Sequence, residues 1–272
     1  MKKSQKNVFS IILFLALVFI ITYTYIDNNR INIVQEEVVI NNLPSEFEGF
    51  KILQISDLHG KSFGKLQKHL SEKINSIDYD IIAITGDMKD VHSDNIDPFI
   101  NLLKNIKNKE NIFYVPGNTD LDIFNDEIES NGCKILEDAY KLKRNNECIE
   151  IAKFDPVKIY NNNNVRIGLF HYPMTLDDYN KEEYDLILSG HYHGGQIRIP
   201  FYGALFIPHI NGGKIFPQQD EVSGLKDYGL FKQYTSKGLG SNFYFNYSNL
   251  EYLTHLKLML SNWLVLKVIR EK

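Results

Sequence analysis

Five short apolar runs in this chain each stop at a residue able to bind a metal or move a proton. KILQIS leads into Asp57-Leu58-His59, IIAIT into Gly86-Asp87, and IFYVP into Gly117-Asn118-Thr119-Asp120. RIGLF leads into His171, and DLILS into Gly190-His191-Tyr192-His193. Unbroken apolar runs of this length suit strands buried on both faces, as in a parallel sheet covered by helices. The carboxyl ends of such strands are where loops converge and ligands bind. The runs therefore predict an α/β domain with its chemistry gathered along one edge. Asp57 and His59 are two apart, as are His191 and His193, so on an extended backbone each pair points to one side.

The rest of the chain is consistent with that frame. Further strands are expected at Val38–Ile40, Glu147–Phe154, Gln196–Ile199, Gln233–Ser236 and Leu264–Ile269, and helices at Lys65–Ile77, Pro98–Ile106, Leu121–Asn131 and about Leu250–Asn262. Asn161–Asn164 reads as a turn between two strands of a hairpin. At 272 residues the chain can bury a large core, and 43% hydrophobic with 24% charged residues excludes wholesale disorder. A net charge of -4 leaves no global footprint for nucleic acid, so no nucleic-acid partner is expected. Two cysteines, Cys133 and Cys148, cannot build a disulfide scaffold or a thiolate zinc site, though they could pair with each other outside the cytosol.

The N-terminus differs in kind. Val8–Ile26 is nineteen residues without a charge, preceded by Lys2, Lys3 and Lys6. As a helix it would be roughly 28 Å long, close to the ~30 Å hydrocarbon core. The run exceeds a signal peptide's apolar region and no A-x-A-like site follows. We therefore expect an uncleaved single-pass transmembrane anchor with a cytoplasmic N-terminus. Residues 1–35 are read as N-terminus, anchor and tether, and 36–272 as the catalytic domain on the extracytoplasmic side of the cell membrane.

Carboxylate, imidazole and amide oxygen without thiolate suit two borderline divalent ions such as manganese, iron or zinc. The order D-L-H, G-D-M-K-D, G-N-T-D, H-Y-P, G-H-Y-H-G-G-Q resembles the calcineurin-like metallophosphoesterase superfamily. It is most similar to a bacterial, membrane-anchored phosphodiesterase branch. Leu43, Pro44, Phe47, Gly49, Lys51 and Ile52 match that branch's opening pattern, as do Gly194–Ala204 and Ser236–Gly240 its later ones. The resemblance implies a four-layer α/β/β/α sandwich with a dinuclear centre. It implies one metal on Asp57, His59, Asp87 and His193 and a second on Asp87, Asn118, His171 and His191, with Asp87 bridging and a metal-bridging hydroxide as nucleophile. It gives Asp120 a supporting role beside the ligands. Two divalent ions would then meet two carboxylates, a surplus of positive charge that suits a phosphate ester.

One position departs from that pattern: Thr119 stands where the family usually has His. A hydroxyl is a poor general acid near neutrality, so the leaving group is expected to carry its own charge. Asp90 suits either a ligand-loop acid or a helix cap, and His92 is the nearest unassigned histidine. His69, His209 and His255 read as loop or surface residues. Asn246-Tyr247-Ser248 fits a glycosylation acceptor, to which an anchored bacterial-type protein gives no weight. Leu250, Leu253, Leu256, Leu260 and Trp263 form one helical stripe, suited to packing on the domain's own sheet or, less readily, to lying on a bilayer surface. The functional expectation is a membrane-anchored phosphodiesterase acting on a lipid-linked or envelope substrate. The alternatives are a phosphomonoesterase, a pyrophosphate hydrolase on a nucleotide-linked glycolipid, and a non-catalytic metal-binding module.

Overall fold

A computed structural model describes residues 3–160, 162–179, 181–195, 197–199, 202–207, 213–240 and 262–270. Two six-stranded sheets form the body of the domain. The first has the order β1 (Asn32–Ile40), β15 (Asn262–Arg270), β2 (Phe50–Ile55), β3 (Ile81–Thr85), β4 (Ile112–Val115) and β5 (Cys133–Ile135). The second runs β13 (Gly224–Asp227), β14 (Lys232–Thr235), β9 (Leu186–Ser189), β8 (Arg166–Leu169), β7 (Glu147–Lys153) and β6 (Ala139–Arg144). β2, β3, β4 and β5 are mutually parallel, as are β7, β8, β9 and β14. A three-stranded sheet of β10 (Ile197–Ile199), β11 (Gly203–Ile207) and β12 (Lys214–Ile215) follows the His191–His193 segment.

Strand alternation assigns each face. Phe50, Ile52, Ile81, Ala83 and Phe113 meet Ile149, Ile167, Leu169, Leu186 and Leu188 between the sheets. Leu53, Ile55, Ile82, Ile84 and Ile112 point the other way, onto Leu70 and Ile74 of α2 (Lys68–Ile74) and Phe99, Leu102 and Leu103 of α3 (Asp97–Asn105). Asp97 and Pro98 open α3 with an acid and a fixed φ, both favourable in a first turn. The two sheets stack in the same sense. Phe113 of β4 meets Tyr140 of β6 at 5.0 Å, and Gln54 of β2 donates to the Ser189 carbonyl of β9 at 2.9 Å. The edge β1–β15 therefore lies on the flank of β13.

The mixed α/β architecture with parallel sheets matches the expectation. The outer face of the second sheet is covered by aromatic side chains from loops, among them Tyr160, Tyr179 and Phe231 packed with Phe154 and Tyr184. Among the described residues the only helix beside that sheet is the one-turn α5 (Gln219–Val222) at β13. Among the described residues large rings cover this face. The hairpin expected around Asn161–Asn164 is also corrected, because β7 and β8 are parallel. The helix expected at Leu121–Asn131 is a short 3-10 turn, Asp122–Phe124, followed by α4 (Asn125–Ser130). β5, β6, β11, β12 and β13 were not foreseen. β6, AYKLKR, is a partly exposed edge strand carrying lysines, which hides its apolar pattern.

At the N-terminus α1 runs from Lys3 to Asn29. Among the described residues no helix is long and apolar enough to cross a membrane. The span expected at Val8–Ile26 thus rests on sequence. The expected tether is corrected: only Arg30 and Ile31 separate α1 from β1, and Ile31 and Ile33 pack against the helix-side core. The stripe Leu250–Trp263 falls almost wholly outside the described residues, as do Gln196, His209, Asn246–Ser248 and His255; Asn262 and Trp263 begin β15. Cys133 and Cys148 are both free thiols, on different sheets.

Candidate metal centre

The five apolar runs end along one rim, and the loops after them bring all seven expected ligands together. Asp57, His59 and His193 form one cluster, and Asp87, His171 and His191 a second. Asn118 joins the second, its Oδ1 3.1 Å from His171 Nε2. Asp87 Oδ2 lies 3.7 Å from His59 Nε2 and 3.3 Å from His171 Nε2, so a single carboxylate oxygen faces both clusters. In the first cluster His59 Nε2 and His193 Nε2 are 3.0 Å apart, and His193 Nε2 is 3.5 Å from Asp57 Oδ1. In the second, His191 Nδ1 is 3.2 Å from His171 Nε2.

These separations test whether divalent ions fit. An ion with bonds of ~2.1 Å to nitrogen and oxygen holds neighbouring donors roughly 3.0–3.4 Å apart. The His59 and His193 rings are nearly parallel, with centroids 4.8 Å apart and planes at 24°, so their nitrogens sit side by side rather than head-on. That is a poor hydrogen bond and a good chelate. His171 Nδ1 lies 2.9 Å from the Thr85 carbonyl, which can only accept. Nδ1 therefore carries a proton, and Nε2 is the ring nitrogen that could hold a metal. The donor set fits two borderline divalent ions.

The backbone gives each ligand its direction at a cost. Asp57, His59, Asp87, His191 and His193 have φ of 52°, 48°, 57°, 68° and 52°. A left-handed non-glycine residue costs roughly 1–2 kcal/mol, and such strain persists where surrounding contacts over-determine it. The pairs two apart thus converge through left-handed turns, not through the strand alternation expected from sequence. The Asp57 amide donates to the Gly86 carbonyl at 2.9 Å and the His59 amide to the Asp87 carbonyl at 2.9 Å, extending the β2–β3 pairing into the loops. The Leu239 and Gly240 amides donate to Ser56 and Asp57 carbonyls at 3.0 and 2.6 Å, which is the use of the Ser236–Gly240 motif.

Asp120 and Thr119 hold the bridge. The Asp120 carboxylate accepts from the amides of Asp87, Met88, Lys89 and Gly117 at 2.7, 2.8, 2.9 and 2.9 Å, folding the Asp87 loop around a buffer of negative charge. The Thr119 amide and hydroxyl both donate to Asp87 Oδ1, at 2.9 and 3.0 Å. That occupies Oδ1 and leaves Oδ2 facing His59 and His171. The Thr119 hydroxyl proton is therefore spent on Asp87, a role the sequence did not reveal. Gly117 and Gly190 also escaped attention. A Cβ on Gly117 would meet Asp87 Oδ1 at 2.2 Å, and one on Gly190 would meet Ser56 Oγ at 2.0 Å and Asp57 Oδ2 at 2.4 Å. Their position directly beside ligand residues in G-N-T-D and G-H-Y-H was the available signal.

The candidate ligands Asp57, His59, Asp87 and His171 are buried, whereas His191 and His193 keep some exposure toward the rim. Burial by itself raises the Asp87 carboxyl. The neighbouring His171 and His59, with the Thr119 amide, overcome it and hold Asp87 well below the usual carboxylate range. Tyr172 packs on His191 at 4.5 Å and on His171 at 5.1 Å, fixing both rings. Asp90 is a loop acid whose Oδ1 accepts the His92 amide at 2.8 Å, and His92 and His69 are exposed on the surface.

Comparisons agree with this geometry. Residues 50–195 match the family model of the calcineurin-like phosphoesterases. The chain is 27% identical to the uncharacterized metallophosphoesterase YkuE of Bacillus subtilis (strain 168), over 79% of this chain and 81% of that one. It is 30% identical to the uncharacterized metallophosphoesterase Cj0846 of Campylobacter jejuni, over 86% of this chain and 64% of that one. A shorter match, 37% identical over 28% of this chain and 26% of the other, is to the phosphodiesterase YaeI of Escherichia coli (strain K12). With two candidate ion sites and a family match that spans all seven candidate donors, the chain belongs to the calcineurin-like phosphoesterase family and is a metal-dependent phosphoester hydrolase.

Proposed function

We propose that this protein is a phosphodiesterase working with two divalent ions, manganese, iron or zinc, and held at the cell membrane with its domain outside the cytosol. The observation that carries the dinuclear reading is the single oxygen, Asp87 Oδ2, between two donor clusters. Asp57, His59 and His193 would hold one ion, and Asn118, His171 and His191 the other. When bound, the pair supplies positive charge for the phosphoryl oxygens and lowers the pKa of water.

The chain's own residues then set what can be cleaved. Asp120 and Thr119 fix the bridging carboxylate, and Thr119 has no proton to spare for a departing oxygen. A substrate whose leaving group carries its own negative charge suits such a site. The name of YaeI supports diesters over monoesters. Support for the anchor is the uncharged run Val8–Ile26 behind three lysines.

Metal titration of the full chain, with hydrolysis of bis(4-nitrophenyl) phosphate against 4-nitrophenyl phosphate, tests the reaction. Two metals per chain and faster diester turnover are expected. One metal per chain, or preference for the monoester, would overturn it. Protease added outside permeabilised cell walls should digest the domain and spare cytosolic controls; full protection would reverse the topology.

A further inference from the structure

Strand direction and register place the N-terminal helix and the metal centre at the same end of the domain. β15 is antiparallel to β2, with Leu264 opposite Gln54, and β1 is parallel to β15, with Val34 opposite Leu264. Asn32, the first residue of β1, is therefore level with Ser56, the residue before the ligand Asp57. Two strand spacings, about 10 Å, separate β1 from β2. Only Arg30 and Ile31 lie between α1 and that point, and Ile31 and Ile33 are packed against the core. The junction has no slack to carry the domain away from whatever holds α1.

What holds α1 must be apolar. Among the described residues its large apolar side chains between Val8 and Ile26 are exposed by 42% to 71%, and they run round the helix rather than along one face. A second apolar feature lies on the same rim. The β10–β12 sheet packs through Ala204 and Ile207 on Tyr192, between the two ligand histidines, and on Val222 of α5. α5 is next to β13, the strand on the flank of β1. On this small sheet Tyr202, Ile215 and Phe216 are 52%, 68% and 64% exposed, with the Tyr202 and Phe216 rings 6.2 Å apart. Aromatic residues beside apolar ones suit the boundary between headgroups and acyl chains.

We infer that the catalytic rim faces a lipid bilayer, touched by α1 and by the Tyr202–Ile215–Phe216 patch, and that the substrate is an amphiphilic phosphodiester whose phosphate lies at the bilayer surface. This rests on the phosphodiesterase reading above. It holds whether α1 crosses the bilayer or lies within it, because the junction is at the rim in both cases. A soluble substrate would gain nothing from this placement, whereas a headgroup phosphate is brought to the metals without leaving the membrane.

The test uses full-length protein on vesicles of phosphatidylglycerol and phosphatidylethanolamine doped with a headgroup-spin-labelled lipid. A fluorophore is attached at Phe216→Cys on the rim or at Lys143→Cys on the far end, each in a Cys148→Ser background, Cys133 being buried. Several-fold stronger quenching at position 216 is expected. Equal quenching, or stronger quenching at 143, overturns the inference. So does a protein that pairs through α1 in detergent-free buffer and ignores the vesicles. In parallel, Ile215→Ser with Phe216→Ser should lower hydrolysis of a vesicle-borne phosphodiester several-fold and leave bis(4-nitrophenyl) phosphate unchanged. Loss of neither overturns the inference while the phosphodiesterase reading stands. Rim quenching in a protein that cleaves no diester would instead sink that reading.

Discussion

The strand β8 has a buried polar cluster at each end, and the two are built on opposite plans. At its start Arg166 and Glu150 are both buried and hydrogen-bonded throughout. Arg166 donates to Glu150 Oε2 from Nε at 2.9 Å and from Nη2 at 2.7 Å, to the Glu183 carbonyl at 2.6 Å and to Asn162 Oδ1 at 2.9 Å. Asn162 and Asn164 donate to Glu150 Oε1 at 3.1 and 2.9 Å, and the Tyr160 ring covers the guanidinium at 3.4 Å. Just past the other end of β8, His171 Nε2 lies 3.3 Å from Asp87 Oδ2, 3.1 Å from Asn118 Oδ1 and 3.2 Å from His191 Nδ1, so four metal-binding atoms converge on one point. A saturated charged cluster is complete as folded. A convergent cluster of acceptors, held by left-handed backbone, is built around something it must bind.

The largest break should come at the shared oxygen. Asp87→Asn removes a charge from both clusters, and the several kcal/mol that metal charge contributes imply a loss of about 10³-fold in turnover. Metal content by elemental analysis should fall below two per chain; two retained metals with near-normal rate would refute the shared ligand. At the other end of β8, Glu150→Ala should leave metal content intact and cost about 3–5 kcal/mol of stability, because Arg166 stays buried without its partner. Urea unfolding measures this, and a change below 1 kcal/mol would mean that the cluster is not closed.

The same cluster has a pH signature. Burial raises the Glu150 carboxyl, but Asn164 and Arg166 outweigh that and hold it below its usual value. Its stabilisation is therefore present at neutral pH and lost as pH falls through that lowered value. Glu150→Gln should flatten the acid side of the stability profile.

Smaller effects sharpen the contrast at the metal end. Asp120→Ala frees four amides and should weaken metal binding by roughly 10–100-fold, read by competition with a chelating dye. Thr119→Val removes one hydrogen bond to a charged acceptor and should cost about tenfold in metal affinity. Thr119→Ser should restore it. If Thr119→Val instead left metal affinity unchanged and altered only the dependence of rate on leaving-group pKa, the hydroxyl would be acting on substrate rather than on Asp87.

Much of the metal end was legible in the chain because its signal is local. Each apolar run buries both faces of a parallel strand, and each ends in a donor residue, so strand type and ligand identity are written side by side. That locality gave the seven donors and the α/β class; the family resemblance added Asp120. The Arg166–Glu150 cluster was illegible for the opposite reason. Glu150, Tyr160, Asn162 and Arg166 look like ordinary surface residues until β7 and β8 pair in parallel, which also undid the hairpin reading of Asn161–Asn164.

Tertiary structure alone decided three further things. It sent the Thr119 proton to Asp87, because two loops from different strands meet there. It gathered Phe154, Tyr179, Tyr184 and Phe231 from several segments into one ring cluster on the second sheet, which no single amphipathic segment announces. And it put Asn32 level with Ser56, because β15 inserts between β1 and β2 from the far end of the chain. Sequence by itself determined which side chains could bind metal and that an apolar segment precedes them. Only long-range strand pairing, which no local pattern encodes, decided that both lie on one rim.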